Sequence, residues 1–244
     1  MIRRVISALR RRTMAAWRSL VPSPQFADRL YAWWWWRSFN GPHLIDRSYI
    51  EALDRLPPDA RGLDVGSGGG RIRPNATTTD ITPHPEVDVV CDASSLPFDD
   101  GAFDYVWSNA VLEHVRDPHQ VAREMVRVLK SGGIAIIQTP FLENIHSWPE
   151  DYYRFTPQGL RYLFRDLEEV KTGVSAGPGQ VLPDLIQYYF AGFPDIESRR
   201  LLPTLCCMLI GVWLWPIRLL DHVLKHQPSW WRWARAYYFI GRKP

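Results

Sequence analysis

The segment RGLDVGSGGGRIRP, residues 61–74, constrains this chain more than any other. A short apolar run, Gly62 to Val65, breaks into a loop with glycine at 66, 68, 69 and 70. Such a loop after a strand lets backbone approach a ligand closely, because glycine reaches conformations that a Cβ disfavours. Spacing narrows the ligand. A phosphate-binding NTPase loop ends in Gly-Lys-Ser/Thr, which is absent here. The dinucleotide fingerprint G-x-G-x-x-G, begun at Gly66, requires glycine at the place held by Arg71. The pattern is instead D-x-G-x-G-x-G, on Asp64, Gly66, Gly68 and Gly70. A carboxylate beside the loop repels a pyrophosphate. It suits a ligand carrying positive charge, such as an ammonium near a sulfonium.

Beyond the loop the pattern alternates. Thr77 to Ile81, Val87 to Asp92 and Phe103 to Asn109 read as strands, and Val121 to Lys130 as an amphipathic helix. Gly133 to Gln138 is a fifth strand. Thr156-Pro157 opens another helix, with threonine as N-cap and proline in the first position. Residues 168–174 form a sixth strand, and 236–243 a last one that closes the domain. Apolar strands with helical connections predict an α/β sheet, mostly parallel and covered on both faces, with a closing antiparallel strand. Asp80 ends the second strand, where a carboxylate accepts from both hydroxyls of a ribose. Asp92 ends the third, where one accepts from an adenine amino group. Open α/β sheets bind ligands at this carboxyl edge.

With LDVGSGGGR, TTTDI, DASSLPFDDGAFDYVWSNAVLEHVRDP and EMVRVLKSGGIAIIQTP in this order, the chain resembles the class I S-adenosylmethionine-dependent methyltransferases, type 11. The resemblance covers roughly residues 60–140. It implies a Rossmann-like methyltransferase sheet and S-adenosyl-L-methionine as cofactor. It also implies that Asp64, Gly66, Gly68 and Gly70 hold the methionine part, and that Asp80 with its neighbour Ile81 lies at the ribose. Asp92 and Ala93 would hold the adenine, with Asn109 and His114 near the transferable methyl. One departure stands out. Pro74 follows the loop so closely that no long helix fits before the second strand, and Arg71 or Arg73 is expected to substitute for its N-terminus.

Methyl transfer needs alignment and a dry site more than a base, because the cofactor brings an activated carbon. His114 therefore reads equally as a general base or as a wall of the pocket. His146 is a second candidate base. It lies in NIHSWPEDYYRFTP, residues 144–157, a loop at the edge where substrates are selected. Trp148, Tyr152, Tyr153 and Arg154 are the expected acceptor contacts there; packing of a surface loop by its own aromatics is the alternative. Asp104 reads as structural.

The remaining features lie at the ends. Residues 1–20 carry six arginines and no acid on a helical apolar stripe. A WWWW run at 33–36 follows, so residues 1–42 form a basic, Trp-rich arm before a methyltransferase domain at 43–244. A helical hydrophobic insertion spans about 181–233, with no charge between 201 and 217. If the strands near 170 and 240 share one sheet, a single membrane crossing cannot lie between them. A shallow hairpin in the interface, flanked by arginines and tryptophans, satisfies both constraints. A dimer patch or a substrate lid is the alternative. The net charge of +3 gives no reason to expect nucleic acid. The three cysteines have no metal-ligand spacing, and no metal ion is expected. The expected protein is cytoplasmic, peripheral or monotopic at a membrane, with a homodimer possible. It methylates an O or N of a small or lipid-linked acceptor. A catalytically silent membrane-docked S-adenosylmethionine-binding protein, and a nicotinamide-dependent oxidoreductase, remain the alternatives.

Overall fold

A computed structural model describes residues 48–146, 150–191 and 201–244. Strand β1 (Gly62–Val65) is buried along its whole length and pairs in parallel on both sides, with β2 (Ala76–Asp80) and β4 (Phe103–Asn109). A central strand buried on both faces must be apolar throughout, apart from an acid with a special environment; Asp64 is that exception. Among the described residues seven strands form one sheet, in the order β3-β2-β1-β4-β5-β7-β6. β3 (Val89–Val90) is the short edge strand, and β5 (Leu129–Pro140) pairs in parallel with β4. β7 (Ala236–Arg242) runs antiparallel to both β5 and β6 (Glu168–Ala176). The expected mostly parallel sheet with a closing antiparallel strand is therefore present.

The chain divides into two compact units. One holds residues 46–181 and 221–244; the other includes, of the described residues, 182–191 and 201–220. In the first unit the core joins Val106 and Ile137 of the sheet to Val121 and Met125 of α2 (Pro118–Val128), all fully buried. That helix begins earlier than its apolar pattern indicates. Asp117 caps it by accepting from the Gln120 N–H at 3.0 Å, and Pro118 fits the first turn. At its other end Lys243 Nζ donates to the carbonyls of Val126 (2.8 Å) and Leu129 (2.7 Å). A cation there meets the negative end of the helix dipole. A short helix α1 (Ser48–Asp54) precedes the sheet, and α3 (Pro157–Leu163) follows β5, capped by Thr156 as its sequence predicts.

The region expected as a hydrophobic insertion is helical where it is described. It comprises α4 (Pro178–Ala191), α5 (Leu201–Arg218), α6 (Asp221–Leu224) and a 3₁₀ segment, Pro228–Trp233. Within the second unit Arg218 is buried and pairs with Asp184 at 2.7 Å. Leu185, Leu209, Val212 and Trp213 are each more than half exposed. β6 ends at Ala176 and β7 starts at Ala236, and these two residues are paired across the ladder. The chain thus returns to the edge it left, which excludes one complete crossing between them. No helix among the described residues is long and apolar enough to cross a membrane. The arginine-rich arm and the WWWW run lie outside the described residues.

Candidate active site

The parallel strands bring their carboxyl ends to one edge, and the glycine loop turns there. The Gly66 and Ser67 N–H groups both donate to the Thr79 carbonyl, at 2.8 and 3.0 Å, which pins the loop to β2. Three residues adopt left-handed φ: Gly66 (+69°), Gly68 (+58°) and Gly69 (+80°). L-residues with a side chain seldom sit there, so glycine is required at these positions. At Gly66 a Cβ would also lie 2.4 Å from Val111 Cγ2. Gly70, expected as part of the motif, has no such constraint: a Cβ there would meet Ser67 O at an ordinary 3.5 Å. The conformational need falls on Gly69 instead.

The acids take distinct environments. Asp64 is 4% exposed, and its Oδ2 accepts from the Ile72 N–H at 3.0 Å. Burial pushes its carboxyl up to about 6, against the opposing pull of that N–H and of Arg71. Asp80 is half-buried and straddles the loop. Its Oδ2 accepts from Gly68 N–H at 2.9 Å and its Oδ1 from Thr82 N–H at 2.8 Å. Each oxygen keeps a lone pair for a further donor. Ile81 beside it is 58% exposed, an apolar face at the ligand edge. Asp92 is exposed and accepts from Ser94 N–H at 2.8 Å, while Ala93 packs partly against the core. Asn109 is exposed at the end of β4.

The residues present fit an aminoacyl-nucleoside cofactor. Gly68 has no atom within 4 Å of where a Cβ would stand, so its backbone faces open space. The Ser67 hydroxyl in the same loop is buried with no hydrogen-bond partner among the described residues. A buried hydroxyl of this kind requires a partner, and a bound ligand is one. The missing helix between β1 and β2 is confirmed, since only turns occupy 66–75. Arg71 and Arg73 do not take its place. Arg71 makes a bidentate pair with Asp88, both contacts 2.8 Å, and donates to Ala76 O. Arg73 reaches the Leu53 and Pro57 carbonyls. Both guanidiniums brace the shortened crossover.

The acceptor side forms where a strained turn follows β4. Ala110 has φ +55°, uncommon for a residue with a Cβ, and the chain then enters a single 3₁₀ turn, Leu112–His114. That turn buries Glu113 completely and sets it between two imidazoles. Its Oε1 lies 3.7 Å from His114 Nε2 and 3.8 Å from His146 Nε2, and the two rings meet edge to face at 5.0 Å. The Glu113 carboxylate holds the His146 imidazole above its ordinary range, against burial. The Glu113 carbonyl accepts from the N–H groups of Tyr152 (2.7 Å) and Tyr153 (3.3 Å), so the loop expected to select substrate is tied to this turn.

The structure brings His114, His146, Tyr152 and Tyr153 to one place. The tyrosines, each 40% exposed, form a rim in which both hydroxyls engage Arg116. Arg154 is consumed in the loop itself, on Asp151 and on the carbonyls of Glu143, Asn144 and Tyr153. These contacts brace the loop. Trp148 lies outside the described residues. Asp104 pairs with Lys130 at 2.6 Å, as a structural acid should. A surface cavity lined by Leu56, Asp59, Asp104, Lys130 and Gly133 lies near the starts of β4 and β5, away from the acids at the ligand edge. Sequence reasoning missed Ser67, Gly69 and Glu113.

Comparison with known proteins agrees with this edge. The family model for a methyltransferase domain, Methyltransf_11, matches residues 63–137. The 2-methyl-6-phytyl-1,4-hydroquinone methyltransferase of Synechocystis is 39% identical over 107 residues, 35% of this chain and 33% of that protein. A ubiquinone/menaquinone biosynthesis C-methyltransferase of Desulfotalea psychrophila is 33% identical over 122 residues, 46% of this chain and 48% of that one. The chain spans about half the length, or less, of the curated relatives it matches. A solved S-adenosylmethionine-dependent methyltransferase of Thermotoga maritima, a possible histamine N-methyltransferase, shares the fold. Its TM-score is 0.53 at 18% identity, over 90% of this chain and 97% of that one. The G-x-G-x-x-G spacing of nicotinamide-dependent folds fails at Arg71. Residues 63–137 thus match the Methyltransf_11 methyltransferase domain, and the sheet that carries them has the fold of solved S-adenosylmethionine-dependent methyltransferases.

Proposed function

We propose that the chain transfers a methyl group from S-adenosylmethionine to an oxygen or nitrogen of a small or lipid-linked acceptor, at a membrane surface. The observation that carries the reading is the cofactor edge itself: left-handed glycines pinned to β2, with Asp64, Asp80 and Asp92 at three neighbouring strand ends. Asp64 and the loop would hold the methionine part, Asp80 and Ile81 the ribose, and Asp92 with Ala93 the adenine. The cofactor supplies an electrophilic methyl carbon bound to sulfonium sulfur. Everything else falls to alignment and exclusion of water.

Asn109 at the end of β4 and the turn that follows it lead from this edge to the acceptor side. There Glu113, His114 and His146 orient the nucleophile and help its proton leave. Tyr152 and Tyr153 form the rim, with Trp148 assigned to the same loop.

Membrane attachment rests on the uncharged run of α5 and the exposed Leu209, Val212 and Trp213. Eighteen residues at 1.5 Å each reach about 27 Å, short of the roughly 30 Å hydrocarbon core, which suits lying in the interface. Relatives named for methylating prenylated quinols handle lipid-soluble acceptors, and that supports an acceptor drawn from the bilayer. Under this reading residues 1–42 act as a basic arm and about 181–233 as the membrane-facing insertion. Incubating the full chain with S-adenosylmethionine and membrane lipid extract tests the function. S-adenosylhomocysteine should form only when extract is present. Cofactor binding without turnover across such extracts favours the catalytically silent alternative.

A further inference from the structure

We infer that Glu113, His114 and His146 form a binding site for a divalent transition-series cation of the Zn²⁺ type. Glu113 is fully buried, and neither carboxylate oxygen has a hydrogen-bond partner among the described residues. A buried carboxylate left so is costly unless a proton or a cation neutralises it. Two imidazoles face it, and one ligand atom from each of the three residues lies within 4.8 Å of the others.

The far side of each ring specifies the tautomer. His114 Nδ1 meets the Glu150 carbonyl, and His146 Nδ1 meets the Asn144 carbonyl at 3.2 Å. A carbonyl only accepts, so each Nδ1 carries the hydrogen and each Nε2 turns a lone pair toward Glu113. With both Nε2 atoms unprotonated, two lone pairs and a carboxylate converge on one point, and a proton or a cation between them relieves the repulsion. Metal-ligating histidines show this arrangement, with the second ring nitrogen held by a backbone carbonyl.

The distances suit an ion. Donors about 2.1 Å from a tetrahedral centre stand roughly 3.4 Å apart, and Glu113 Oε1 stands 3.7 and 3.8 Å from the two Nε2 atoms. Two imidazoles and one carboxylate select borderline metals over Mg²⁺ or Ca²⁺, and three protein ligands leave positions open. At those positions the cation would coordinate an oxygen of the acceptor and make its O–H more acidic. The imidazoles would then assist proton loss through the cation they hold. This last step rests on the methyl-transfer reading above, whereas the cation site does not.

The test uses tag-free, metal-stripped full-length protein. Zn²⁺ alone is titrated by calorimetry, and Co²⁺ alone by its visible spectrum. Expected are one saturable equivalent and a Co²⁺ spectrum of low coordination number. Glu113→Gln and His146→Ala should each weaken Zn²⁺ by at least the about 10–100-fold that loss of an outer-shell partner costs. S-adenosylhomocysteine binding, measured on the same variants, should be unchanged and reports that they are folded. Wild-type protein that binds S-adenosylhomocysteine but not Zn²⁺, or folded variants that keep wild-type Zn²⁺ affinity, overturns the site and leaves the methyltransferase reading standing. Zn²⁺ binding without S-adenosylhomocysteine binding does the reverse.

Discussion

Replacing Asp80 with alanine should remove most cofactor affinity, and the structure says by how much. Each carboxylate oxygen already accepts one backbone N–H, from Gly68 and from Thr82, and has room for one more donor. Two ribose hydroxyls bound to a charged acceptor contribute about 1.5–3 kcal/mol each. Asp80 is only half-buried, so the lower end applies, about 3 kcal/mol in total, or roughly a hundredfold in Kd. Alanine also releases Gly68 from its tether, which adds to the loss. Asparagine keeps one acceptor oxygen and should lose less than alanine. The assay is calorimetric titration of S-adenosylhomocysteine into wild type, Asp80→Ala and Asp80→Asn. A 2′-deoxy analogue of the ligand supplies a cycle: it should bind weakly to wild type and lose less than the parent ligand on Asp80→Ala. Folded Asp80→Ala that binds S-adenosylhomocysteine within about threefold of wild type refutes the assignment of Asp80 to the ribose.

Further outcomes follow from the same geometry. Asp64 has a folded pKa of about 6 against an ordinary 3.8, so between these values the unfolded chain ionises first. Its contribution makes stability fall as pH rises from about 4 to 6, by about 3 kcal/mol, and Asp64→Asn should remove that component from the urea-melt pH profile. A bound ammonium would favour the Asp64 carboxylate, so ligand binding near pH 5.5 should release protons, seen as a buffer-dependent calorimetric heat. Gly66→Ala should destabilise more than Gly68→Ala, because only Gly66 adds a clash, with Val111, to its left-handed φ; Gly70→Ala should be nearly neutral in urea melts. His146→Ala should lower turnover on the true acceptor by about 10²–10⁴ with cofactor affinity retained; unchanged rates across pH in both this variant and His114→Ala would leave catalysis to alignment alone. Acidic substitutions at the exposed Leu209 and Val212 should release folded protein from anionic liposomes, measured by co-sedimentation.

What the sequence disclosed was what is local. β4 falls on Phe103–Asn109 as expected, because seven mostly apolar residues bounded by a turn permit little else. Thr156 and Pro157 announce α3 by capping chemistry alone. The acids at strand ends were legible because strand length fixes where a carboxyl edge lies. Glycine conformation was not: whether Gly69 or Gly70 turns left-handed depends on how the loop hangs from Thr79. Glu113 escaped notice for a related reason. It sits beside a histidine in sequence, and its second imidazole, His146, comes from a different loop. The expectation of no metal ion rested on cysteine spacing, which is silent about such a cluster. Arg71 and Arg73 were assigned to ligand support because nothing in sequence showed that Asp88 and the carbonyls near α1 would claim them.

The central claim is a working S-adenosylmethionine site at the glycine loop, and methyl-labelled S-adenosylmethionine tests it most directly. The full chain is dialysed to equilibrium with the labelled cofactor, alone and with anionic liposomes carrying membrane lipid extract. The account predicts about one equivalent of label retained by the protein without extract, strongly reduced in Asp80→Ala. With extract, label should move into the lipid fraction as S-adenosylhomocysteine accumulates. Folded wild-type protein that retains no label at saturating cofactor contradicts the account at its base.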